Sequence, residues 1–155
     1  EIHHRDCIMR GLEKCQDNDV IILSDVDEIP SVEAIKSYKP ENGYMYLEMA
    51  MYYYNMQTKH EEPWVSAKML PYFLLKQLRP HKARHSGYSG MVPDRIPNGG
   101  RHLSYFGGVD AIIKKLGEFS HLEYDTPEIK DPEHIKRAIE NGEDILGRNI
   151  KFKNI

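Results

Sequence analysis

Asp25 and Asp27 stand two residues apart directly after the apolar run Val20-Ile21-Ile22-Leu23, and a third acid, Glu28, is adjacent. In an extended segment residues i and i+2 point to the same side, so both carboxylates can turn toward one hard divalent cation. Like charges this close repel unless a cation or a donor lies between them. The competing reading of the same residues is an acidic turn with Asp27 capping the helix that follows. The run from Asp19 to Ser24 lacks alternation, which predicts a strand buried on both faces at the centre of an α/β sheet. Its carboxyl end, where the acids fall, is where open α/β sheets place ligands.

Other residues add chemistry. Eight histidines are many for 155 residues, and neutral imidazole ligates Mn²⁺ and similar ions. His102 lies between Gly99-Gly100 and Gly107-Gly108, glycines that would let a phosphate approach the backbone. His121 is the second candidate ligand, and a structural role is open to both. Arg79, His81, Lys82, Arg84 and His85 form a basic stretch suited to a diphosphate, an anionic sugar or plain solvent. Lys114 and Lys115 begin the outward face of a helix from which one could reach a phosphate. Alternation from Gly43 to Asn55 puts Tyr44, Tyr46, Glu48, Tyr52 and Tyr54 on one face, fit for stacking on sugar rings or for sheet packing. A carboxylate among aromatics has its pKa raised toward a useful base, which singles out Glu48.

The elements that must position these groups follow from periodicity and breakers. A helix is expected over Arg5 to Cys15 with Ile8, Leu12 and Cys15 inward, and a short one from Ser31, as cap, to about Tyr38. Trp64 to Leu70 reads as a strand, Pro71 to Gln77 as a helix, and Arg79 to Gly100 as a basic, glycine-rich loop. His102 to Phe106 reads as a short strand, Gly107-Gly108 as a bend and Val109 to Phe119 as a helix. A last helix starts at Asp131 and Pro132 and stops at Gly142. The sequence is thus expected to form one domain over residues 1–148, with a disordered tail at 149–155.

Composition narrows the partners. Twenty-one basic residues against 24 acidic ones give no positive field to hold a nucleic acid or an acidic membrane. No stretch approaches the roughly 20 apolar residues of a membrane span. Cys7 and Cys15 are too few for a disulfide scaffold and read as buried thiols.

Two blocks, Ile21-Ile22-Leu23-Ser24-Asp25-Val26-Asp27-Glu28-Ile29-Pro30 and Gly99-Gly100-Arg101-His102-Leu103-Ser104-Tyr105-Phe106-Gly107-Gly108, resemble glycosyltransferase family 17. The resemblance runs from Arg5-Asp6 to about Gly147 and takes in Tyr52-Tyr53-Tyr54-Asn55, Trp64 and Phe119-Ser120-His121-Leu122-Glu123. It implies an α/β, GT-A-like (Rossmann-related) domain with a central mixed sheet flanked by helices, and an inverting transfer of GlcNAc from UDP-GlcNAc to a mannose hydroxyl of an N-glycan-like acceptor in β-1,4 linkage. It also implies Mn²⁺ or another divalent cation at Asp25 and Asp27, completed by His102 or His121. Arg79, Arg84, Tyr52, Tyr54 and Lys115 would contact substrate. Glu48, Asp94 and Glu123 are the candidates for the base that takes the acceptor proton.

The chain has Arg101 where the family usually shows Trp. Family members carry a substantial region before the point matching Glu1, so the chain is expected to be incomplete at its N-terminus and to hold the metal and acceptor half of the site. For animal relatives the family implies the Golgi lumen and a type II membrane anchor. Two other readings stand beside this one. In a haloacid-dehalogenase-like phosphatase Asp25 would be the nucleophile and Asp27 the acid/base. A non-catalytic glycan-binding remnant would use the tyrosine face.

Overall fold

A computed structural model describes residues 2–85, 94–118 and 121–154. The fold is α/β, a mixed sheet flanked by helices, and is compatible with the GT-A-like class. The chain forms two compact units, Glu1–Met49 with Trp64–Arg101, and Ala50–Pro63 with His102–Ile155.

The first unit is built on the strand order β1-β5-β3-β6-β2, with β1 Val20–Leu23, β2 Glu28–Pro30, β3 Met45–Tyr53, β5 Lys68–Pro71 and β6 Arg95–Ser104. β3 and β6 begin here and continue into the second unit. β1 pairs antiparallel with β5 from Val20↔Pro71 to Leu23↔Lys68, and β5 with β3 at Met45↔Met69 and Tyr46↔Lys68. Among the described residues β1 is therefore an edge strand rather than the expected central one. The cover on both faces expected from its unbroken apolar run is present all the same: Ile21 and Ile22 each pack against a different core, one on either side of the sheet. One core gathers Leu23, Tyr44, Leu70 and Tyr72 with the helices α3, Tyr72–Leu78, and α4, Pro80–His85. The other gathers Leu47, Met49, Met69 and Ile96 under α2, Val32–Ser37. Ser31 caps α2 as expected, accepting from the Ala34 N–H at 3.2 Å.

Three local departures have physical reasons. The helix expected over Arg5 to Cys15 is α1, Ile2–Asp6, followed by a 3₁₀ segment at Cys7–Leu12. Three residues per turn align Met9, Leu12 and Cys15, and these pack on the core while Ile8 stays 40% exposed. The loop expected from Arg79 to Gly100 contains α4 and the start of β6, and its residues 86–93 lie outside the described residues. Finally, the three steps from Tyr46 to Met49 are matched by four from Lys68 to Trp64, which bridges Met49. The one extra residue is a bulge, and it brings Trp64 onto the face of Met49.

In the second unit β3 pairs with β4, Thr58–His60, at Tyr52↔Lys59, and β4 pairs with β7, Phe152–Asn154. The tail expected to be disordered thus ends in a strand, because the Phe152 ring seats 4.9 Å from that of Tyr53. The helices α5, Gly108–Glu118, and α6, Pro132–Asn141, pack together, burying Ile112, Leu116, Ile135 and Ala138. Asp131 caps α6 and Gly142 ends it in the left-handed region, as read from the sequence.

Gly99 and Gly100 have a different role from the phosphate approach expected of them. A Cβ on Gly99 would lie 2.8 Å from the Glu48 backbone nitrogen, and one on Gly100, whose φ is +144°, 2.1 Å from the Ile29 carbonyl oxygen. They let β6 close on β3 and β2. Gly100→Ala is expected to lower the unfolding free energy in urea by about 2 kcal/mol or more. Gly117→Ala, in open space on α5, should raise it by about 0.5–1 kcal/mol.

Candidate functional site

The acidic turn does lie at the carboxyl end of β1, and it is built around Glu28, which is 3% exposed. Oε2 accepts from the Asp25 backbone N–H and from Arg84 Nη1, both at 2.8 Å. Oε1 accepts from Arg84 Nη2 at 2.6 Å and from the indole N–H of Trp64. A buried carboxylate without such donors would cost several kcal/mol, and this one meets four. Arg84 Nη2 also donates to Asp25 Oδ2 at 2.8 Å, while Arg5 Nη1 donates to Asp25 Oδ1 at 2.9 Å. Asp27 is half-buried on the same turn, and Val26 between the two aspartates is 98% exposed.

Beneath this cluster lies Lys68, 2% exposed. Its Nζ donates to the Ser66 carbonyl at 2.6 Å and to the Arg84 carbonyl, 4.7 Å from the centre of the Tyr46 ring. Burial, then the positive charge of Arg84, pushes its pKa down to about 8. The register Tyr46↔Lys68 puts both on one face of the sheet, and Glu48, two residues on, shares that face.

The first unit holds Asp25, Asp27, Glu48, Arg79, Arg84 and Asp94, and the second holds Tyr52, Tyr54, His102, Lys115, His121 and Glu123. Within the first, Arg84 meets Asp25 and also feels the charge of Asp27. Glu48 has a cation beside it, Arg95 at 3.7 Å, in place of the expected enclosing rings. Asp94 is exposed, its carbonyl accepting from the Tyr46 N–H. Arg79 pairs with Asp6 at 3.8 Å.

The aromatic face does not extend as read. Tyr44 is buried, its hydroxyl donating to the Ala83 carbonyl. Tyr54 leaves the strand with φ +63° and is buried, donating to the Glu143 carbonyl at 2.6 Å and accepting from the Ile145 N–H. Burial raises its hydroxyl pKa. Tyr52 remains half-exposed on β3. In the second unit His102 is 6% exposed, Lys115 lies over the Tyr105 ring, and His121 Nδ1 sits 2.9 Å from Glu123. Glu123 is held below the usual glutamate range by its own backbone N–H and then by His121, which weakens it as a base.

No group of three His, Cys, Asp or Glu side chains able to hold a metal occurs among the described residues, and both oxygens of Asp25 face guanidinium groups. The donor set therefore does not fit a metal centre made by the protein alone. Hard cations are commonly held instead by one or two carboxylates together with substrate phosphates.

Arg5, Trp64 and Lys68 were missed as parts of the site, and Glu28 was noted only as a neighbouring acid. Arg84 and Trp64 lie 56 and 36 residues from Glu28, a separation that leaves no local pattern. Lys68 has one consequence in solution. Between pH 8 and 10 the unfolded chain, with an ordinary lysine, binds more protons than the folded one, so this group makes stability rise with pH. The unfolding free energy of the wild type minus that of Lys68→Met should increase over this window, and a flat difference would contradict the lowered pKa.

No curated protein and no solved structure matches the chain. No helix among the described residues is long and apolar enough to cross a membrane. The family model of glycosyltransferase family 17 matches residues 1–153. With the acidic turn and the glycine-bearing strand both inside that match, the chain belongs to glycosyltransferase family 17.

Proposed function

We propose that this glycosyltransferase moves GlcNAc from UDP-GlcNAc to a mannose hydroxyl of an N-glycan-like acceptor, with inversion and in β-1,4 linkage. The observation that carries the reading is the clamped Asp25-Val26-Asp27-Glu28 turn at the end of β1, within a chain matched to a transferase family over residues 1–153. Family membership leaves the phosphatase alternative without support.

In this reading the turn receives the donor's diphosphate. Asp27 would hold a divalent cation, Mn²⁺ being the one expected, which supplies Lewis-acid neutralisation of the leaving group's charge. The protein's own work is to hold the turn rigid and to take a proton. For the latter we assign Glu48, because it stands on a paired strand rather than a loop and shares the sheet face of Lys68 and Tyr46. Its carboxylate would accept the acceptor hydroxyl's proton as that oxygen attacks the sugar's anomeric carbon. Arg79 remains part of the proposal as a substrate contact, whereas Tyr54, buried with its hydroxyl on the Glu143 carbonyl, is withdrawn from it.

Calorimetry with UDP-GlcNAc should show binding that requires Mn²⁺ and is lost in Asp27→Ala. Undiminished binding without metal would sink the role given to Asp27, and binding of an N-glycan without nucleotide binding would favour a glycan-binding remnant. Where turnover is measured, Glu48→Gln is expected to lower kcat by roughly 10²–10⁴-fold with donor affinity unchanged. The same loss in Asp94→Asn or Glu123→Gln, with Glu48→Gln active, would move the assignment.

A further inference from the structure

We infer that Glu28 and Arg84 act together as the positioning residues of the donor site, fixing the Asp25 carboxylate and hence the aim of the Asp25-Val26-Asp27 turn without touching the donor themselves. This rests on the donor-site reading above. Glu28 is 3% and Arg84 5% exposed, which removes both from reach of a substrate. Glu28 closes the turn twice. Its backbone N–H donates to the Asp25 carbonyl at 3.0 Å, and its side chain accepts from the Asp25 N–H at 2.8 Å. Arg84 then bridges Glu28 Oε1 and Asp25 Oδ2 through one nitrogen, 2.6 and 2.8 Å away.

The clamp is assembled from distant parts of the unit. Arg84 comes from α4, its own carbonyl tied by Lys68, and Trp64 is brought to Glu28 after the bulge opposite β3. Stability alone gives little reason for such an arrangement. The Asp25 side chain is 42% exposed, and ion pairs to so exposed a group contribute little to folding. What two guanidinium groups on its two oxygens do achieve is a fixed orientation.

The test uses the full chain with Arg84→Lys, which keeps the charge and loses the fork, and Trp64→Phe, which removes one indole donor. Readouts are UDP affinity by calorimetry with Mn²⁺, thermal unfolding, and amide hydrogen exchange across the turn. Arg84→Lys should weaken UDP binding about tenfold or more, with cooperative unfolding retained. Adding Asp25→Asn to it should bring no further loss, since Arg84 acts through Asp25. Exchange at the Asp25 and Glu28 amides should quicken in Arg84→Lys, and to a smaller degree in Trp64→Phe, while Ile21, paired with Leu70 on β5, keeps its protection. Wild-type UDP affinity in Arg84→Lys, additive losses, or unchanged exchange at the turn would overturn the inference. A wild type that binds no UDP would instead overturn the donor-site reading, and exchange at the turn would then decide whether the clamp exists.

Discussion

The buried pairing of Glu28 with Arg84 is the constraint on which the candidate site depends. Removing a carboxylate and a guanidinium from water costs several kcal/mol per ion, and the attraction between them offsets this only when geometry and further hydrogen bonds are favourable. Here both conditions are met: the fork is bidentate, and the remaining capacity of Glu28 is taken by an indole and a backbone amide. Such a pair adds little net stability compared with apolar residues of similar volume, yet losing one partner leaves a bare buried charge. Its presence is better understood as a means of holding one arrangement of the turn against others.

Backbone contact supplies the second constraint. The segment leaving the turn runs straight into β2, where Ile29 lies against Gly100, and Ser31 then donates its N–H and its hydroxyl to the carbonyls of Gly99 and Asn98. The turn is thus tied at its start by β1, in its middle by Glu28 and Arg84, and at its end by β6. A glycine pair that looks from the sequence like a phosphate cradle instead allows two strand backbones to approach, and the freedom from a Cβ is used within the protein.

What could be read in the sequence follows the range of the interaction. The α2 and α6 caps, the bend at Gly107-Gly108 and the alternation of β3 depend on residues a few positions apart, and each is present in the structure. The 3₁₀ segment at Cys7–Leu12 and the departure of Tyr54 from its strand depend on tertiary contacts, which local spacing does not encode. The same holds for the site. Asp25 and Asp27 stood out because they are two residues apart. Arg84 stood out only as a substrate contact, and its pairing with the turn did not, because Arg5, Trp64 and Arg84 reach the turn from separate elements; nothing in a lysine like Lys68 announces that it will be buried.

The charge balance of the cluster bears on how an acidic turn can serve an anionic ligand at all. Asp25, Asp27 and Glu28 would by themselves present three negative charges to a diphosphate and repel it. In the structure Arg5, Arg84 and Lys68 stand against them, so at neutral pH the cluster is close to neutral before any ligand arrives. Glu28 is inside and paired, and Asp25 is shared between two guanidinium groups. Asp27, beside the exposed Val26, lies within the field of Arg84 as well. One carboxylate is enough to retain a cation already bound to phosphate oxygens, and too little to exclude the phosphates themselves. On this account the arginines are what make a doubly acidic motif compatible with a diphosphate donor.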